Sequence, residues 1–298
     1  GIPFYNGYYT AKGEPMVRAY PGHEFIAVCI NYGKVSEVAK LTVGDTVKIS
    51  LNTKAAALET QLLNSLKYTN GRSDYASDAV FANFRAIKAG KIGKNILYRS
   101  CSPINNEHKR AKYADALAKE AGIKAVLNLA DSDEEITGYI AKEDFASEYY
   151  KNLFENGGVI ALNMSVDYSS ESFAKSLVAG LIRLTSLNGP YLIHCTEGKD
   201  RAGFASALLE AFMGASYKEI VADYMESYAN YYGVSKKSDV KRYDVIVKNN
   251  IDGMLRVIAG VDKDANLKKV SLASGAKAYL AKNGMSEAQI KTLASLLK

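Results

Sequence analysis

The stretch of sequence around which the rest of the chain is organised runs Tyr191-Leu192-Ile193-His194-Cys195-Thr196-Glu197-Gly198-Lys199-Asp200-Arg201-Ala202-Gly203. Its apolar first residues predict a buried strand, its middle is rich in turn-forming residues, and its end has the composition of a helix start. An arginine stands six positions after the cysteine. A strand, a tight loop and a helix in this order are typical of a site that binds an anion.

Such a loop turns successive backbone N–H groups, from Thr196 to Arg201, toward one point, and the helix dipole adds positive potential there. The result is a nest for a phosphate-sized dianion. The same field stabilises a thiolate at Cys195, which would make it a nucleophile. The planar guanidinium of Arg201 suits two oxygens of one phosphoryl group. Gly198 is expected to allow close approach of the backbone, and Gly203 to allow close packing of the helix on the strand.

The pattern His-Cys, five residues, Arg resembles the signature of the cysteine-based protein tyrosine and dual-specificity phosphatases. The core from Gly198 to Arg201 is most similar to a bacterial tyrosine/lipid phosphatase branch, whose members often carry HC-x-x-GKDR-T-G. The resemblance covers about residues 68–298. It implies an α/β fold with a mainly parallel central sheet flanked by helices. The substrate-binding residues it implies are His194, Thr196, Glu197, Gly198, Lys199, Ala202, Gly203 and Arg99.

The chemistry expected of these residues needs neither a metal nor a cofactor. Cys195 attacks phosphorus while a carboxylic acid protonates the leaving oxygen, and water then hydrolyses the cysteinyl phosphate. Asp167 is the favoured general acid, because the family usually carries its mobile-loop aspartate at this point of the chain. Asp200 is the other candidate, and a helix-capping role for Asp167 is the alternative to catalysis. His194 is expected to fix the loop rather than to act as a base.

Two loop residues bear on the substrate and one on turnover. Lys199 points to recognition of further negative charge, as on phosphoinositides or inositol phosphates, unless it is simply a solvated lysine. Glu197 would repel such highly anionic substrates. Ala202 departs from the family pattern, which has a Ser or Thr hydroxyl that bonds the cysteine sulfur and helps it leave. The sequence therefore predicts slow turnover or narrow selectivity.

Strands alternate with helices before the loop, which predicts the parallel sheet. The predicted strands are Ile96–Ser100, Ile123–Leu129 and Gly158–Val166. Asp131 and Asp167 follow two of these strands, so they are expected on the same edge of the sheet as Cys195. Arg99 is expected to add charge to the site, with a structural salt bridge as the alternative. Around Asp131, N-capping of a helix is favoured over catalysis.

Helical periodicity covers most of the remaining sequence. The predicted helices are Glu107–Ala121, Glu171–Leu187, Ala202–Met213, Ser216–Tyr232, Asp239–Ile258, Ser271–Asn283 and Ser286–Leu297. Ser286 and Gln289 have the spacing of a capping box. Residues 1–67 form instead a β-rich module with strands at Glu24–Ile30 and Thr46–Leu51. Its expected role is packing on a catalytic domain of residues 68–298, covering the site, or binding a partner.

Composition excludes several classes of protein. The 298 residues carry a net charge of +6 mixed along the chain, and no nucleic-acid-binding motif is present. Three scattered cysteines describe neither a disulfide framework nor, with three histidines, a metal site. No apolar run is long enough to span a bilayer. The compartment stays open, with a preference for a bacterial extracytoplasmic protein because the chain starts at Gly1 and its N-terminal part is β-rich.

The sequence thus predicts a phosphatase that hydrolyses phosphotyrosine on proteins or peptides. The first alternative is a phosphoinositide or inositol phosphate phosphatase. The second is a phosphate-binding pseudophosphatase, in which Ala202 has disabled turnover and the N-terminal module mediates interactions. A nucleotide-binding loop is excluded by Ile193 and Asp200, which stand where a glycine and a Ser or Thr would be needed. A rhodanese-like sulfur carrier is opposed by Arg201.

Overall fold

The computed structural model describes residues 1–298, and the chain divides into two compact units. The first comprises Gly1–Lys67 together with Asp244–Ile246, and the second Tyr68–Tyr243 together with Val247–Lys298. The organisation into an N-terminal module, residues 1–67, and a catalytic domain, residues 68–298, stays a proposal about independent folding.

The first unit contains a small three-stranded sheet. Its strands are β1 (Phe4–Tyr5), β2 (Pro15–Arg18) and β3 (Ala27–Ile30), and its helices are α1 (Val35–Ala39) and α2 (Leu58–Asn64). Strand β2 lies in the centre, parallel to β1 and antiparallel to β3.

The predicted strand at Thr46–Leu51 is wrong, because that segment has no regular secondary structure. Its apolar side chains at Val47, Ile49 and Leu51 are 48% or more exposed. A strand is stable only when a neighbour pairs with its backbone and one face is buried, and this segment pairs with no strand of the sheet. Cys29 lies in β3 as predicted, but it is half-buried rather than in the core.

A five-stranded mixed sheet organises the second unit. Its strands are β4 (Arg85–Ala86), β5 (Leu97–Ser100), β6 (Ala125–Asn128), β7 (Val159–Ala161) and β8 (Tyr191–His194), in the order β4-β5-β8-β6-β7. All neighbours are parallel except β4 and β5. The predicted α/β fold with a mainly parallel sheet is therefore confirmed. Apolar side chains make β5, β6 and β8 fully buried, as central parallel strands require.

Helices surround this sheet. They are α3 (Asp78–Phe81), α4 (Ala111–Glu120), α5 (Asp133–Ile140), α6 (Glu148–Glu155), α7 (Glu171–Leu184), α8 (Arg201–Phe212), α9 (Tyr217–Tyr232), α10 (Val240–Ile246), α11 (Asp252–Ala259), α12 (Leu272–Lys282) and α13 (Glu287–Leu296). The capping box predicted at Ser286 and Gln289 is confirmed, and Ser132 with Glu135 forms another. The helix predicted over Asp239–Ile258 is interrupted by one π-helical turn at Val247–Ile251. None of the helices has the length and apolarity that crossing a membrane requires.

The register of the sheet brings three strand ends to one place. Ser100 of β5 and Asn128 of β6 both pair with His194 of β8, so the chain leaves all three strands side by side. Strand β7 is shorter than predicted, since it ends at Ala161 and the backbone turns at Asn163, which has a φ of 43°. The site lies at this edge.

Candidate active site

Cys195 lies at the end of β8 and begins a loop that leads into α8 at Arg201. Its side chain is only 3% exposed, so it forms the floor of the loop rather than its rim. The apolar residues of β8 keep the strand inside the sheet, and the polar residues after it turn the chain back at the surface. The predicted strand, loop and helix are thus confirmed.

The carbonyl groups of the loop are all bound from outside. The bonds are Thr196 O from the Ser102 N–H at 3.0 Å, Glu197 O from the Tyr231 hydroxyl at 2.8 Å, Gly198 O from Arg99 Nη2 at 2.8 Å and Lys199 O from Arg99 Nη2 at 3.2 Å. Asn83 adds Nδ2 contacts of 3.3 Å to the carbonyls of both Glu197 and Gly198. These contacts fix which way each peptide group faces.

The amide groups of the same loop have no such partners. None of the N–H groups of residues 196–200 donates a hydrogen bond to a protein acceptor. A peptide group whose carbonyl is held outward directs its N–H to the opposite side, so the N–H groups of residues 197–200 face the inside of the loop that follows Cys195, next to the N-terminus of α8. This arrangement can bind a phosphate-sized anion.

Gly198 is required by the backbone of the neighbouring strand. Its φ is +68°, and a Cβ atom there would lie 2.1 Å from the carbonyl oxygen of Ser100. The predicted close approach is therefore confirmed, and the loop packs directly on the end of β5. Gly203 differs from its prediction in part, because its nearest neighbour is the ring of Tyr224 in α9, with Arg99 Nη2 of β5 behind it.

Replacing Gly198 by alanine is expected to lower kcat/KM by about 100-fold, because the clash with Ser100 displaces the loop by a fraction of an ångström or more. Steady-state kinetics checks this. Gly122→Ala is the matched control, since Gly122 has a φ of +64° but no atom within 4 Å of the added Cβ. Equal losses in both variants would show that backbone strain, and not the approach to β5, sets the effect.

Arg99 does not lie where a contact with the substrate, as expected from the sequence, would require. Its guanidinium is fully buried behind the loop, where Nη2 binds two loop carbonyls and Nη1 donates to Asp223 Oδ2 at 2.6 Å. A buried group in this position cannot reach an anion on the other side of the loop. We therefore propose it as a positioning residue. Of the two roles expected for Arg99, the geometry favours the structural salt bridge, which Arg99 forms with Asp223.

Asp223 of α9 holds two arginines at once. Its carboxylate also accepts from Arg85 Nε at 2.8 Å, and its carbonyl accepts from Arg85 Nη2 at 2.7 Å. Burial would raise the pKa of Asp223, but the two guanidinium groups outweigh it and hold the pKa below its usual range. Burial and this neighbouring carboxylate raise the pKa of Glu210 well above its usual value. Two cations are thus shared by one ionised acid.

Asp223→Asn is expected to lower the free energy of unfolding by about 3 kcal/mol, because it leaves two buried guanidinium groups without a negative partner. Denaturant unfolding monitored by circular dichroism measures this. Glu171→Gln is the control, since it removes only the exposed salt bridge to Lys175 and should leave the stability nearly unchanged. A similar loss of unfolding free energy in the two variants would contradict the stabilising role of Asp223 between the two arginines.

Arg201 begins α8 beside the loop, where the sequence predicts it. Its Nη1 donates to the carbonyl of Met164 at 2.8 Å, and its Nη2 donates to Thr196 Oγ1 at 3.1 Å. Guanidinium carries five N–H donors, so three remain for an anion. The two tethers hold the planar group at the mouth of the N–H array.

His194 lies inside the fold, fully buried, and does not face the substrate side. Burial lowers the pKa of its imidazole to about 3, so the ring is neutral. Its Nε2 is 3.2 Å from the Tyr150 hydroxyl, and its Nδ1 is 3.4 Å from the carbonyl of Cys195. These contacts agree with the predicted role in fixing the loop.

Asp131 extends this buried network. Asn128 Nδ2 donates to both the Tyr150 hydroxyl and Asp131 Oδ2, each at 3.0 Å, and the Tyr139 hydroxyl donates to Asp131 Oδ1 at 3.3 Å. Burial raises the pKa of Asp131, and the Asn128 hydrogen bond opposes this rise. The helix cap predicted for this region is provided by Ser132 rather than Asp131.

Lys199 and Glu197 pair with each other at the rim. Lys199 Nζ is 2.8 Å from Glu197 Oε2 and lies over the rings of Tyr228 and Tyr232. Burial would lower the pKa of Lys199, but the carboxylates of Asp200 and Glu197 raise it. The Tyr68 hydroxyl donates to the other oxygen of Glu197. The sequence offered two roles for Lys199, recognition of further negative charge on the substrate or a solvated lysine. The ion pair with Glu197 matches neither of them.

The two candidate general acids are both exposed, but their neighbours differ. Asp167 is exposed, and the hydroxyl and backbone N–H of Ser169 lower its pKa, which favours the ionised form. Asp200 precedes Arg201 at the loop with half of its side chain exposed; partial burial raises its pKa, and the Lys199 ammonium at 3.7 Å opposes the rise. A general acid must be protonated when it acts. These pKa directions favour Asp200 as the proposed acid, and the helix-capping role offered as the alternative for Asp167 is taken by Ser170, which caps α7.

Ala202 is fully buried in the first turn of α8. Its methyl group brings no hydroxyl to Cys195, so the departure from the family pattern stands. No group of three or more His, Cys, Asp or Glu side chains is placed to hold a metal ion.

Sequence reasoning missed the residues that hold the loop from behind. They are Tyr68, Asn83, Arg85, Asp223 and Tyr231. A φ of +50° at Asn83 marks a special backbone position, but no motif links it to a loop more than a hundred residues away. These five residues are too far from the loop in the sequence to form a recognisable motif with it.

A strand ending in a buried cysteine, an outward-tethered loop and an arginine at a helix start define a cysteine-loop phosphatase fold. The sequence profile of the tyrosine phosphatase family matches residues 81–298, which is most of the chain. The chain belongs to this family, and the predicted resemblance is confirmed. Membership supports phosphatase activity on phosphorylated substrates.

One curated relative comes from Cupriavidus necator and carries the provisional name tyrosine-protein phosphatase. It is 47% identical over 49 residues, which cover 16% of this chain and 18% of the relative. The chain thus matches under a fifth of that protein's length.

Proposed function

We propose that this protein hydrolyses phosphotyrosine on proteins or peptides through a cysteinyl-phosphate intermediate. The observation that carries the proposal is the set of unpaired N–H groups at residues 196–200 above the buried Cys195. Phosphoryl transfer is catalysed mainly by positioning and by stabilising charge on the three equatorial oxygens. A fixed ring of donors serves that need.

In the first step the thiolate of Cys195 attacks phosphorus in line, and the bond to the tyrosine oxygen breaks. Asp200 donates its proton to that oxygen, so tyrosine leaves as a neutral phenol. The loop N–H groups and the free donors of Arg201 hold the equatorial oxygens as charge shifts among them. Arg99 keeps the donors aimed through its bonds to the loop carbonyls.

In the second step water attacks the cysteinyl phosphate, Asp200 accepts a proton from that water, and Cys195 leaves as a thiolate. No hydroxyl at position 202 assists the departing sulfur. We therefore expect this step to limit the overall rate.

The substrate class follows from the charge at the rim. The ammonium of Lys199 is neutralised by Glu197 at 2.8 Å, so it adds little attraction for the several phosphates of an inositol lipid. Phosphotyrosine is favoured over phosphoinositides for this reason.

Phosphate release from a phosphotyrosine peptide, a phosphoserine peptide and a soluble phosphoinositide tests the proposal under reducing conditions. We expect the phosphotyrosine peptide to have the highest kcat/KM. A higher value for the phosphoinositide would transfer the proposal to the lipid class. Release that is equal with and without the protein would contradict the proposed hydrolysis.

A second candidate, a phosphate-binding pseudophosphatase, is favoured by one observation, the methyl group at Ala202. Acid quenching of the reaction with labelled phosphotyrosine peptide distinguishes the two. Label on Cys195 that turns over supports the enzyme, and label that stays bound supports a protein arrested after the first step. In that case Ala202→Thr is expected to restore release. Interaction through residues 1–67 stays a proposal.

A further inference from the structure

A cleft of about 600 Å³ lies in the second unit, outside the catalytic loop. Three chain segments form it: the residues before α3, the loop that leads into α4, and the loop between α5 and α6. Its apolar lining includes Phe81, Ile104, Tyr113 and Phe145. A volume of this size falls in the range of about 300–1,000 Å³ that is usual for ligand-binding clefts. We name it the lysine groove, after Lys109, Lys112 and Lys142 in its lining.

The three lysines of the lysine groove are exposed and make no salt bridge. Lys112 Nζ lies 5.0 Å from the ring centre of Tyr113, and Lys142 Nζ lies 4.8 Å from that of Tyr139. Aromatic faces thus hold two ammonium groups at the groove without neutralising them.

The other charged groups of the lining are one arginine and two carboxylates. Arg72 forms a salt bridge with Asp78. Asp144 accepts a hydrogen bond from the neutral amide of Asn106 at 3.1 Å, which leaves its charge in place. Three lysines therefore outnumber the two carboxylates, Glu107 and Asp144, and the groove is positive overall.

The lysine groove begins close to the catalytic loop on one side. The Ser102 N–H donates to the carbonyl of Thr196 at 3.0 Å, and the groove residues Ile104 and Asn106 follow Ser102 along the chain. Four residues span at most about 14 Å, so this wall of the groove lies within about 14 Å of the loop. In an extended peptide that distance corresponds to about four residues.

Ring and hydroxyl contacts join the groove to the active site at two further points. His108, which lies between the groove residues Glu107 and Lys109, packs against the ring of Tyr68 at 5.8 Å, and Tyr68 binds Glu197 of the loop. Tyr139 of the lining donates to Asp131, which belongs to the buried network beside Cys195. Side-chain contacts therefore connect the groove to the catalytic loop.

We propose that the lysine groove binds acidic residues that flank the phosphotyrosine of a peptide substrate. The proposal rests on the proposed function, because it places the phosphotyrosine itself in the catalytic loop. Carboxylates of the peptide meet Lys109, Lys112 and Lys142, while its apolar atoms cover the aromatic lining. The aromatic lining disfavours a polyphosphate, which has no apolar part to cover it.

The test compares two phosphotyrosine peptides that differ only in their flanking residues, Asp and Glu in one and Asn and Gln in the other. For each protein variant, kcat/KM for a peptide is divided by kcat/KM for free phosphotyrosine. We expect the native protein to prefer the acidic peptide about fivefold, as two exposed charge pairs would give. The preference should decrease at high salt.

The variant Lys112→Gln with Lys142→Gln is expected to reduce this preference to about twofold or less. Its control is Lys277→Gln with Lys291→Gln, which removes the same charge from exposed lysines outside the groove and should keep the preference. Equal use of the two peptides by the native protein would overturn the proposal. So would a preference that both double variants lose equally, because net charge would then explain it.

A binding measurement separates failure of the groove from failure of the enzyme. Cys195→Ser is titrated with both fluorescently labelled peptides, with and without the two groove substitutions. Tighter binding of the acidic peptide that depends on the two lysines supports the groove even when no substrate is hydrolysed. A soluble phosphoinositide that loses affinity on Lys112→Gln with Lys142→Gln, while the peptides do not, would overturn it in favour of a polyphosphate subsite.

Discussion

Cys195→Ser is expected to abolish phosphate release from phosphotyrosine, with a fall in kcat of at least about 10⁴-fold. A serine hydroxyl is not ionised by the field of the loop at neutral pH, so the nucleophile is lost while the N–H array stays. Because the side chain is buried and serine is no larger, the fold is expected to persist. Phosphate release under reducing conditions measures the effect.

Cys29→Ser is the matched control for this variant, since Cys29 lies in β3 of the first unit, apart from the catalytic loop along the chain. It should retain full activity. Inorganic phosphate should still bind the Cys195→Ser protein, because the donors of residues 196–200 are backbone groups. Activity that survives in Cys195→Ser would exclude the cysteinyl-phosphate mechanism and leave the loop as an anion-binding element of another kind.

Asp200→Asn is expected to lower kcat by about 10²- to 10⁴-fold, because it removes the proton that the leaving tyrosine oxygen needs. The loss should be smaller for an aryl phosphate with a more acidic phenol, which leaves without protonation. Asp167→Asn is the matched control and should change kcat by less than about threefold. A larger loss of kcat in Asp167→Asn than in Asp200→Asn would show that Asp167 is the general acid.

The pH dependence has a defined direction. Partial burial raises the pKa of Asp200, whose side chain is half exposed, so its protonated form persists to higher pH than that of an ordinary aspartic acid. Activity for phosphotyrosine should fall as the pH rises through this pKa, and Asp200→Asn should remove that decline. Asp167 has a lowered pKa and would place the decline at more acidic pH. The pH profile of kcat therefore distinguishes the two carboxyl groups independently of the size of the loss.

The parts of the structure that local sequence determines were predictable. Apolar residues from Tyr191 to Ile193, turn-forming residues after Cys195 and a helix start at Arg201 lie within thirteen positions, so their order alone predicts strand, loop and helix. Ser286 and Gln289 form a capping box for the same reason, because both partners lie within one helical turn.

The parts of the structure that depend on contacts between distant residues could not be predicted from the sequence. Arg99 looked like a candidate ligand for the substrate, and only the position of Asp223 on α9 shows why its charge is directed to the rear of the loop. The strand expected at Thr46–Leu51 has the right alternation but lacks a pairing partner. The sequence favoured Asp167 over Asp200 by its place in the chain, but the pKa values of the two groups depend on neighbours such as Ser169 and Lys199, which the sequence does not reveal.

The outward tethering of the loop carbonyls has a consequence for regulation by the product. Four peptide groups are held by Ser102, Tyr231, Asn83 and Arg99 before any substrate arrives, so the donor ring needs no rearrangement to accept an anion. On the proposed function, we expect free orthophosphate to occupy that ring as a phosphoryl group attached to tyrosine would. Orthophosphate should then inhibit competitively, so that hydrolysis slows as the product accumulates.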